Sequence, residues 1–155
     1  MYASSITYNC VLPDVPVYMG EIAKEILLAF AERTNDKGIE RIRGFNTFQA
    51  LDRIVIEDIS VTPLLVDHSA FDAYMFLIEG DGKRILHTGD FRVHGFRGKA
   101  VFPTIRKYVG TVDLLITEGT ALSRDSDTLL EEAELQTLAN HVLSENKYVF
   151  VLCAS

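Results

Sequence analysis

The chain has 155 residues with 48% hydrophobic content, enough to bury the core of one domain or of a large part of one. Its 15 basic and 22 acidic residues give a net charge of −7, the opposite of the basic footprint that binding to a phosphate backbone usually leaves. Cys10 and Cys153 lack CxxC spacing, which argues against a disulfide framework or a thiolate zinc site. Because the chain shows neither a signal peptide nor the run of about 18 apolar residues of a membrane helix, the sequence predicts a cytoplasmic protein.

The first predicted elements are a brief extended run and an amphipathic helix. The run is "DVPVYMG", and residues 21–33, "EIAKEILLAFAER", place their apolar side chains on one helical stripe. Residues 34–52 are polar and contain glycine, which predicts a loop, although "FNTFQALD" could hold a short turn of helix.

Four strands are predicted close together in the middle of the chain. They are "RIVIEDISVTPLLV", "AYMFLIEG", "RILHTG" and, after a helix at "FPTIRKYVG", "VDLLITEG". Gly80-Asp81-Gly82 predicts a tight hairpin turn between the second strand and the third.

The last predicted elements are a helix and a strand. The helix lies within "SDTLLEEAELQTLANHVLSEN", with Ser126 or Asp127 as its N-cap, and the strand is "KYVFVLCAS". That strand runs almost to the last residue, and "MYASSITYNC" supplies no recognisable first element. We therefore expect residues 1–155 to form a single partial domain, truncated at both ends.

Two residue types that bind metals follow predicted strands. His68 comes after "LLV" and Asp90 after "ILHTG", so loops can turn both side chains into one cleft. An imidazole and a carboxylate are ligands that divalent zinc, manganese or iron prefers, and a carboxylate can bridge two ions. Since single histidines and aspartates are also common as surface or capping residues, the spacing alone leaves both interpretations open.

Three motifs in order give these residues a context. "DHSAFDAY", "HTGDFR" and "DLLITEGT" resemble the middle third of the metallo-β-lactamase fold, most closely its ribonuclease J-like and β-CASP branch, and "LPDVPVYMGEIAKEIL" resembles the stretch after that family's metal motif. The resemblance implies an α/β fold, more narrowly α+β, forming part of an αβ/βα sandwich with a mixed sheet flanked by helices. It also implies that His68 is a ligand of one ion and that Asp90 is the catalytic carboxylate bridging two.

The chain departs from the family pattern at both ends. The family's His-x-His-x-Asp-His motif is expected just before "VLPDVPVY", where "MYASSITYNC" has no histidine or aspartate, and its final histidine is expected beyond Ser155. A hydrolytic zinc site needs about three protein ligands and an open position. We therefore expect a fragment of a dinuclear centre, in which zinc or manganese binds weakly or not at all.

The resemblance implies a metal-dependent hydrolase, with RNA or DNA phosphodiesters as substrate of the complete protein and negligible turnover by this chain alone. A small-molecule ester, thioester or lactam hydrolase on the same fold is an alternative. A second class also stays open, a metal-free interaction or structural domain that kept the scaffold and lost catalysis.

Other polar residues are candidates for the surroundings of the site. Asp72 could orient His68 or cap a turn. His87 could form a hydrogen bond to a metal ligand or lie in the core. Glu118 could form the rim of the site or be an exposed loop carboxylate. A further group could contact an anionic substrate, although charges in a loop more often form a solvated face. This group consists of Arg92, His94, Arg97 and Lys99.

Two structural predictions follow. Metal-ligand bonds near 2 Å require the side chains of His68 and Asp90 to lie within about 4–6 Å of each other. Sheet edges left bare by missing elements are templates for another chain, so we expect a homo-oligomer.

Overall fold

The computed structural model describes residues 14–120 and 130–152. Helices and strands combine around a mixed five-stranded sheet, which confirms the predicted α+β class. The strands are β1 (Tyr18–Gly20), β2 (Asn46–Phe48), β3 (Ile54–Ile56), β4 (Ile59–Leu65), β5 (Tyr74–Gly80), β6 (Lys83–His87) and β7 (Leu114–Ile116). The helices are α1 (Glu21–Thr34), α2 (Ile39–Arg43), α3 (Val101–Thr104) and α4 (Glu132–Glu145), with a 3₁₀ turn at Gly98–Ala100 and a π-helical turn at Ile105–Val109. None of the helices in these ranges is long and apolar enough to cross a membrane.

The central sheet has the order β3-β4-β5-β6-β7. Its first four strands are antiparallel neighbours, whereas β7 lies parallel to β6 and is reached through the helical segment between them. Strands β1 and β2 form a separate parallel pair beside α1. The ends of β4 and β5 that adjoin residues 66–73, and the carboxyl ends of β6 and β7, therefore lie along one side of the central sheet.

Both hairpins of the central sheet use two-residue turns. Asp81 and Gly82 have φ of 48° and 66°, so the predicted turn between β5 and β6 is confirmed, with the two positive φ values that a type I′ turn needs. A second turn at Glu57, with φ of 54°, separates β3 from β4. The predicted strand "RIVIEDISVTPLLV" is thus wrong as one element, because this turn divides it into two paired strands.

Alternation along β5 divides the packing between the two faces of the sheet. Met75 and Leu77 are buried in the larger core, whereas Tyr74 and Phe76 point to the opposite face. There the ring of Phe48 meets them edge-on, at centroid distances of 5.0 and 5.8 Å. The larger core also contains Leu64, Val66, Ala73, Leu86 and Val109, and a smaller core under α1 contains Ala31, Ile42 and Phe45.

Helix α1 confirms a helix at residues 21–33, but the predicted apolar stripe is wrong in part. Ile22, Ile26 and Phe30 are exposed, and the helix packs through Leu27, Leu28 and Ala31. Its N-cap residue, Gly20, has no side chain to bind the first amides. The Asp72 carboxylate supplies that function from the central sheet, accepting the Ala23 N–H at 2.8 Å. A side chain at position 20 would collide with that carboxylate, so glycine is required there by the close approach.

Three other predictions are corrected. Residues 34–52 are not simply a loop, because they contain α2 and β2, and "FNTFQALD" contains β2 instead of a turn of helix. Its parallel pairing with a strand 28 residues earlier, Tyr18 with Asn46, is long-range and leaves no local pattern. Helix α4 begins later than predicted: Glu131 is its N-cap and forms a capping box with Glu134, while Ser126 and Asp127 lie outside the described residues.

The last predicted strand is also wrong over the part that the structure describes. Residues 148–152 have no strand pairing, and Phe150 and Leu152 are fully exposed. Apolar β-forming residues make a strand only beside a neighbour that takes up their backbone hydrogen bonds. The remaining residues of that prediction, 153–155, lie outside the described ranges.

Asp113 fastens the start of β7 to β6 and makes the stability of this edge depend on pH. Its carboxylate accepts the Arg84 N–H at 2.9 Å and the Lys83 Nζ at 3.2 Å, and these bonds, in that order, lower the pKa of Asp113 below its ordinary value of 3.8. The stabilisation is therefore complete above about pH 4 and is lost as the pH falls through the folded-state pKa.

We expect Asp113→Asn to lower the urea midpoint of unfolding at pH 7 and to have little effect at a pH below the folded-state pKa, where the wild-type carboxylate is protonated in both states. Urea titrations at the two pH values measure this difference. A deficit of equal size at both would contradict the electrostatic cause.

Candidate functional site

His68 lies on the loop that connects β4 to β5, two residues after the buried side chain of Val66. Its Nδ1 lies 3.1 Å from the Ser69 hydroxyl oxygen, and the residue is partly exposed. This contact engages one ring nitrogen and leaves Nε2 as the atom through which His68 could bind an ion.

Asp90 lies in the turn that follows β6. Gly89 before it has φ of 59°, a left-handed conformation that glycine adopts without strain, and its Cα lies close to the Tyr74 carbonyl. The N–H of Thr88 donates to the Ile116 carbonyl at 2.9 Å, extending the link between β6 and β7 into this turn. Asp90 itself is exposed, as a ligand at the mouth of a cleft must be.

Glu118 joins these two residues from the end of β7. Its Oε1 accepts the N–H of Phe91, the residue after Asp90, at 2.7 Å. The bond from Phe91, then a bond from Thr120, and more weakly the charge of His68 lower the pKa of the Glu118 carboxyl. The segments after β6 and β7 therefore meet, with Glu118 bonded to the residue that follows Asp90 and within electrostatic reach of His68.

His87 contacts the same turn from the end of β6. It ends β6 opposite Phe76, and its Nδ1 accepts the Gly89 N–H at 3.1 Å, which leaves the ring proton on Nε2. His87 is thus bonded to the residue before Asp90. This contact fixes the turn that presents Asp90.

Asp72 makes its contacts away from this group. Besides accepting the Ala23 N–H, it accepts a hydrogen bond from the Tyr74 hydroxyl. Burial first, and then that bond, raise the pKa of the Tyr74 phenol. The described contacts of Asp72 are those of a helix cap supplied by a distant loop.

Asp67, which the sequence did not single out, organises the loop that carries His68. It is 4% exposed, and its carboxylate accepts Arg92 Nε at 3.0 Å and the Arg97 N–H at 2.7 Å. Its carbonyl accepts the Arg92 N–H at 2.8 Å, and Arg92 also pairs with Glu132 of α4. The sequence signal that could have identified Asp67 is its position. It is an acidic residue directly after the apolar run "VTPLLV", where burial is expected, and arginines that could pair with it follow in the next motif.

The donor atoms suit a divalent ion, but the described residues supply few of them. An imidazole nitrogen and carboxylate oxygens are appropriate for zinc or manganese. Within residues 14–120 and 130–152, no group of three or more His, Cys, Asp or Glu side chains is arranged to hold an ion. The separation of His68 and Asp90 stays a prediction.

The fold recurs in a solved structure. The chain is similar to a crystal structure of a protein of unknown function from Enterococcus faecalis V583, with 28% sequence identity and a TM-score of 0.74. The similarity covers 89% of this chain and 35% of the other, so this chain spans about a third of that protein's length. No family model and no curated protein matches the sequence.

Proposed function

We propose that this chain carries part of the site of a metal-dependent hydrolase of the metallo-β-lactamase type, which in the whole protein acts on phosphodiester bonds of RNA or DNA. The observation that carries the proposal is the position of Glu118 after β7, bonded to the residue after Asp90 and within electrostatic reach of His68. His68, Asp90 and Glu118 belong, in order, to "DHSAFDAY", "HTGDFR" and "DLLITEGT". A reducing cytoplasm is the proposed location, supported by two cysteines without paired spacing.

The residues have distinct roles in this proposal. His68 would bind an ion through Nε2, and Asp90 would bind through its exposed carboxylate. His87 and Glu118 hold the backbone on the two sides of Asp90, through Gly89 and Phe91, so the carboxylate is presented by a turn fixed at both ends. When bound, zinc or manganese would act as a Lewis acid and lower the pKa of a coordinated water.

The number of ligands limits what this chain can do alone. With one imidazole and one carboxylate, a bound ion is expected to be single and weakly held, with water or a neighbouring chain completing its coordination. Hydrolysis by the isolated 155-residue chain is expected to be negligible. The preference for phosphodiesters over small esters, thioesters or lactams is supported by the motifs.

A metal-free interaction domain is the second candidate, and one observation favours it. Helix α4 has no buried residue, and its apolar side chains are about half exposed. Such a surface is typical of contact with another protein surface. A domain of this kind would keep the scaffold without needing His68 or Asp90.

Zinc titration separates the two candidates. By calorimetry, the wild-type chain is expected to bind one ion, and Asp90→Ala and His68→Ala are each expected to weaken binding by about tenfold or more. His141→Ala is the matched control, because this exposed histidine of α4 forms a pair with Glu145 only. It should leave the affinity unchanged.

Two results would contradict the proposal. Equal losses in His141→Ala and Asp90→Ala would show nonspecific binding to exposed side chains, and the absence of zinc binding would favour the interaction domain. Tight binding of two ions, with phosphodiester turnover abolished by Asp90→Ala, would instead contradict the expectation of a partial site, because further ligands would then have to be present in the chain.

A further inference from the structure

Two neighbouring cavities adjoin the loop that carries His68. One of about 420 Å³ lies between the end of β4 and the segment after Asp90, and it is lined by Asp67, Phe96, Arg97 and Lys99, among others. The second, of about 230 Å³, is lined by His68 and Phe71 and shares Asp67, Phe96 and Arg97 with the first. The two cavities are thus neighbours that share part of their lining. We call Phe71, Phe96, Arg97 and Lys99 the aromatic-basic cleft.

The cations of this cleft differ in how their charge is used. Arg92 is compensated by the carboxylates of Asp67 and Glu132. Arg97 and Lys99 are exposed, and neither has a carboxylate partner among residues 14–120 and 130–152. Within the described part of the chain, two cations in the cleft thus have no carboxylate partner and can bind an anion, although the whole chain carries a net charge of −7.

The Arg97 side chain is held in place by groups that leave its charge intact. Its guanidinium carbon lies 4.4 Å above the centre of the Phe71 ring, and one of its NH groups donates to the Phe71 carbonyl at 3.1 Å. Its backbone N–H donates to buried Asp67. The ring and the carbonyl thus hold the guanidinium, and the carboxylate holds the backbone of the same residue, without neutralising the guanidinium charge. Because the side chain is already ordered, the entropic cost of binding a ligand is lower.

Exposed aromatic rings give the cleft a second chemical character. Phe71 and Phe96 are 59% and 64% exposed. Planar rings beside free cations are the combination that proteins use for single-stranded nucleic acid, in which bases stack on aromatic faces and phosphates bind Arg and Lys. A simple anion would use the cations but not the rings.

We propose that the aromatic-basic cleft binds one nucleotide of a single-stranded nucleic acid, with the base stacked on Phe71 or Phe96 and a phosphate bound by Arg97 and Lys99. His68 lines the same cleft, so a strand seated there extends toward the candidate metal-binding edge. This inference adds a strand-binding site to the proposed function. It rests on the proposed function only for the direction in which the strand extends, because binding of the nucleotide to the cleft requires no metal ion.

Fluorescence anisotropy with a labelled hexanucleotide, in buffer containing EDTA, tests the cleft. Phe71→Leu is expected to raise the Kd about tenfold through lost stacking. Lys99→Gln is expected to raise the Kd and to reduce the slope of log affinity against log salt by about 0.7, the value for one phosphate contact on a single strand. Lys99 makes no hydrogen bond or ion pair with the residues that the structure describes, so its replacement should not affect folding.

The chain offers a matched control pair. Lys107 lies over the Tyr108 ring at 4.8 Å, a cation and an aromatic ring outside the cleft. Lys107→Gln and Tyr108→Leu should leave the Kd and the salt slope unchanged. An abasic hexamer, which keeps the phosphates, should bind the wild type about tenfold more weakly and show no further loss with Phe71→Leu.

The outcomes separate this inference from the proposed function. Three results would overturn the nucleotide site. They are no binding of the hexanucleotide, equal weakening of its binding by Lys107→Gln and Lys99→Gln, and competition by inorganic phosphate as strong as that by an unlabelled strand. Zinc binding, measured separately in Phe71→Leu, is expected to match the wild type. Hexanucleotide binding without zinc binding would support the cleft and contradict the metal proposal.

Discussion

Replacing Asp67 with alanine is expected to lower the free energy of unfolding by about 3 kcal/mol, because it removes one partner of a largely buried ion pair. The carboxylate is 4% exposed and binds both Arg92 Nε and the Arg97 N–H. Without it, Arg92 would keep only Glu132, and the Arg97 amide would lose its acceptor. Because the same carboxylate orients the loop before His68, zinc affinity should fall with stability.

Urea denaturation of Asp67→Ala beside Glu79→Ala measures this effect. Glu79 pairs with Arg84 at 2.9 Å, but both side chains are about a third exposed, so its loss should cost no more than about 1 kcal/mol. Similar losses in the two variants would show that burial adds little to the Asp67 network. Asp67→Asn should fall between them, since an amide keeps one acceptor oxygen but loses the charge.

Self-association of the chain is the second large expected effect. All three residues of β7 are exposed on the free edge of the central sheet. Leu135, Leu138 and Val142 follow the three- and four-residue spacing of one helical face and are about half exposed on α4. The apolar face of α4 and the outer edge of β7 are two surfaces that each favour pairing with a second copy of the chain.

Light scattering and sedimentation are expected to show a dimer or larger assembly at micromolar concentration. Leu138→Glu and Val142→Glu should each raise the dissociation constant by about tenfold or more, because an apolar contact is lost and a charge is placed in the interface. Val55→Glu is the control, since Val55 is comparably exposed on β3 at the opposite edge. A monomer at high concentration, or equal dissociation by Val55→Glu, would contradict an interface at α4 and β7.

Local chemistry made part of the fold predictable. Asp81 and Gly82 identify their turn because few residues accept positive φ in succession, and α1 shows an apolar stripe within its own 14 residues. Strand β2 left no such signal, since it depends on pairing with β1 across α1 and α2. The turn at Glu57 was missed because glutamate is not a residue that usually marks a left-handed position.

The candidate site was also predictable only where the signal is local in the sequence. His68 and Asp90 were identifiable by residue type and by position after strands. The contact of Glu118 with Phe91 was not, because it requires β7 to lie parallel to β6, a pairing separated by 29 residues between Ile85 and Leu114. Asp67 was not predicted as a site residue because its role in holding the loop depends on burial, which residue type alone does not reveal.

The two anchors of the His68 loop have a consequence for the thermodynamics of binding. Asp67 fastens one end to Arg92 and Arg97, and Asp72 fastens the other end to the first turn of α1. The four residues between them, 68–71, therefore have few backbone conformations left in the folded chain. Since fixing a free residue costs about 1–2 kcal/mol, most of the ordering entropy of this loop is lost during folding, and a ligand that contacts His68 or Phe71 has little of it left to offset.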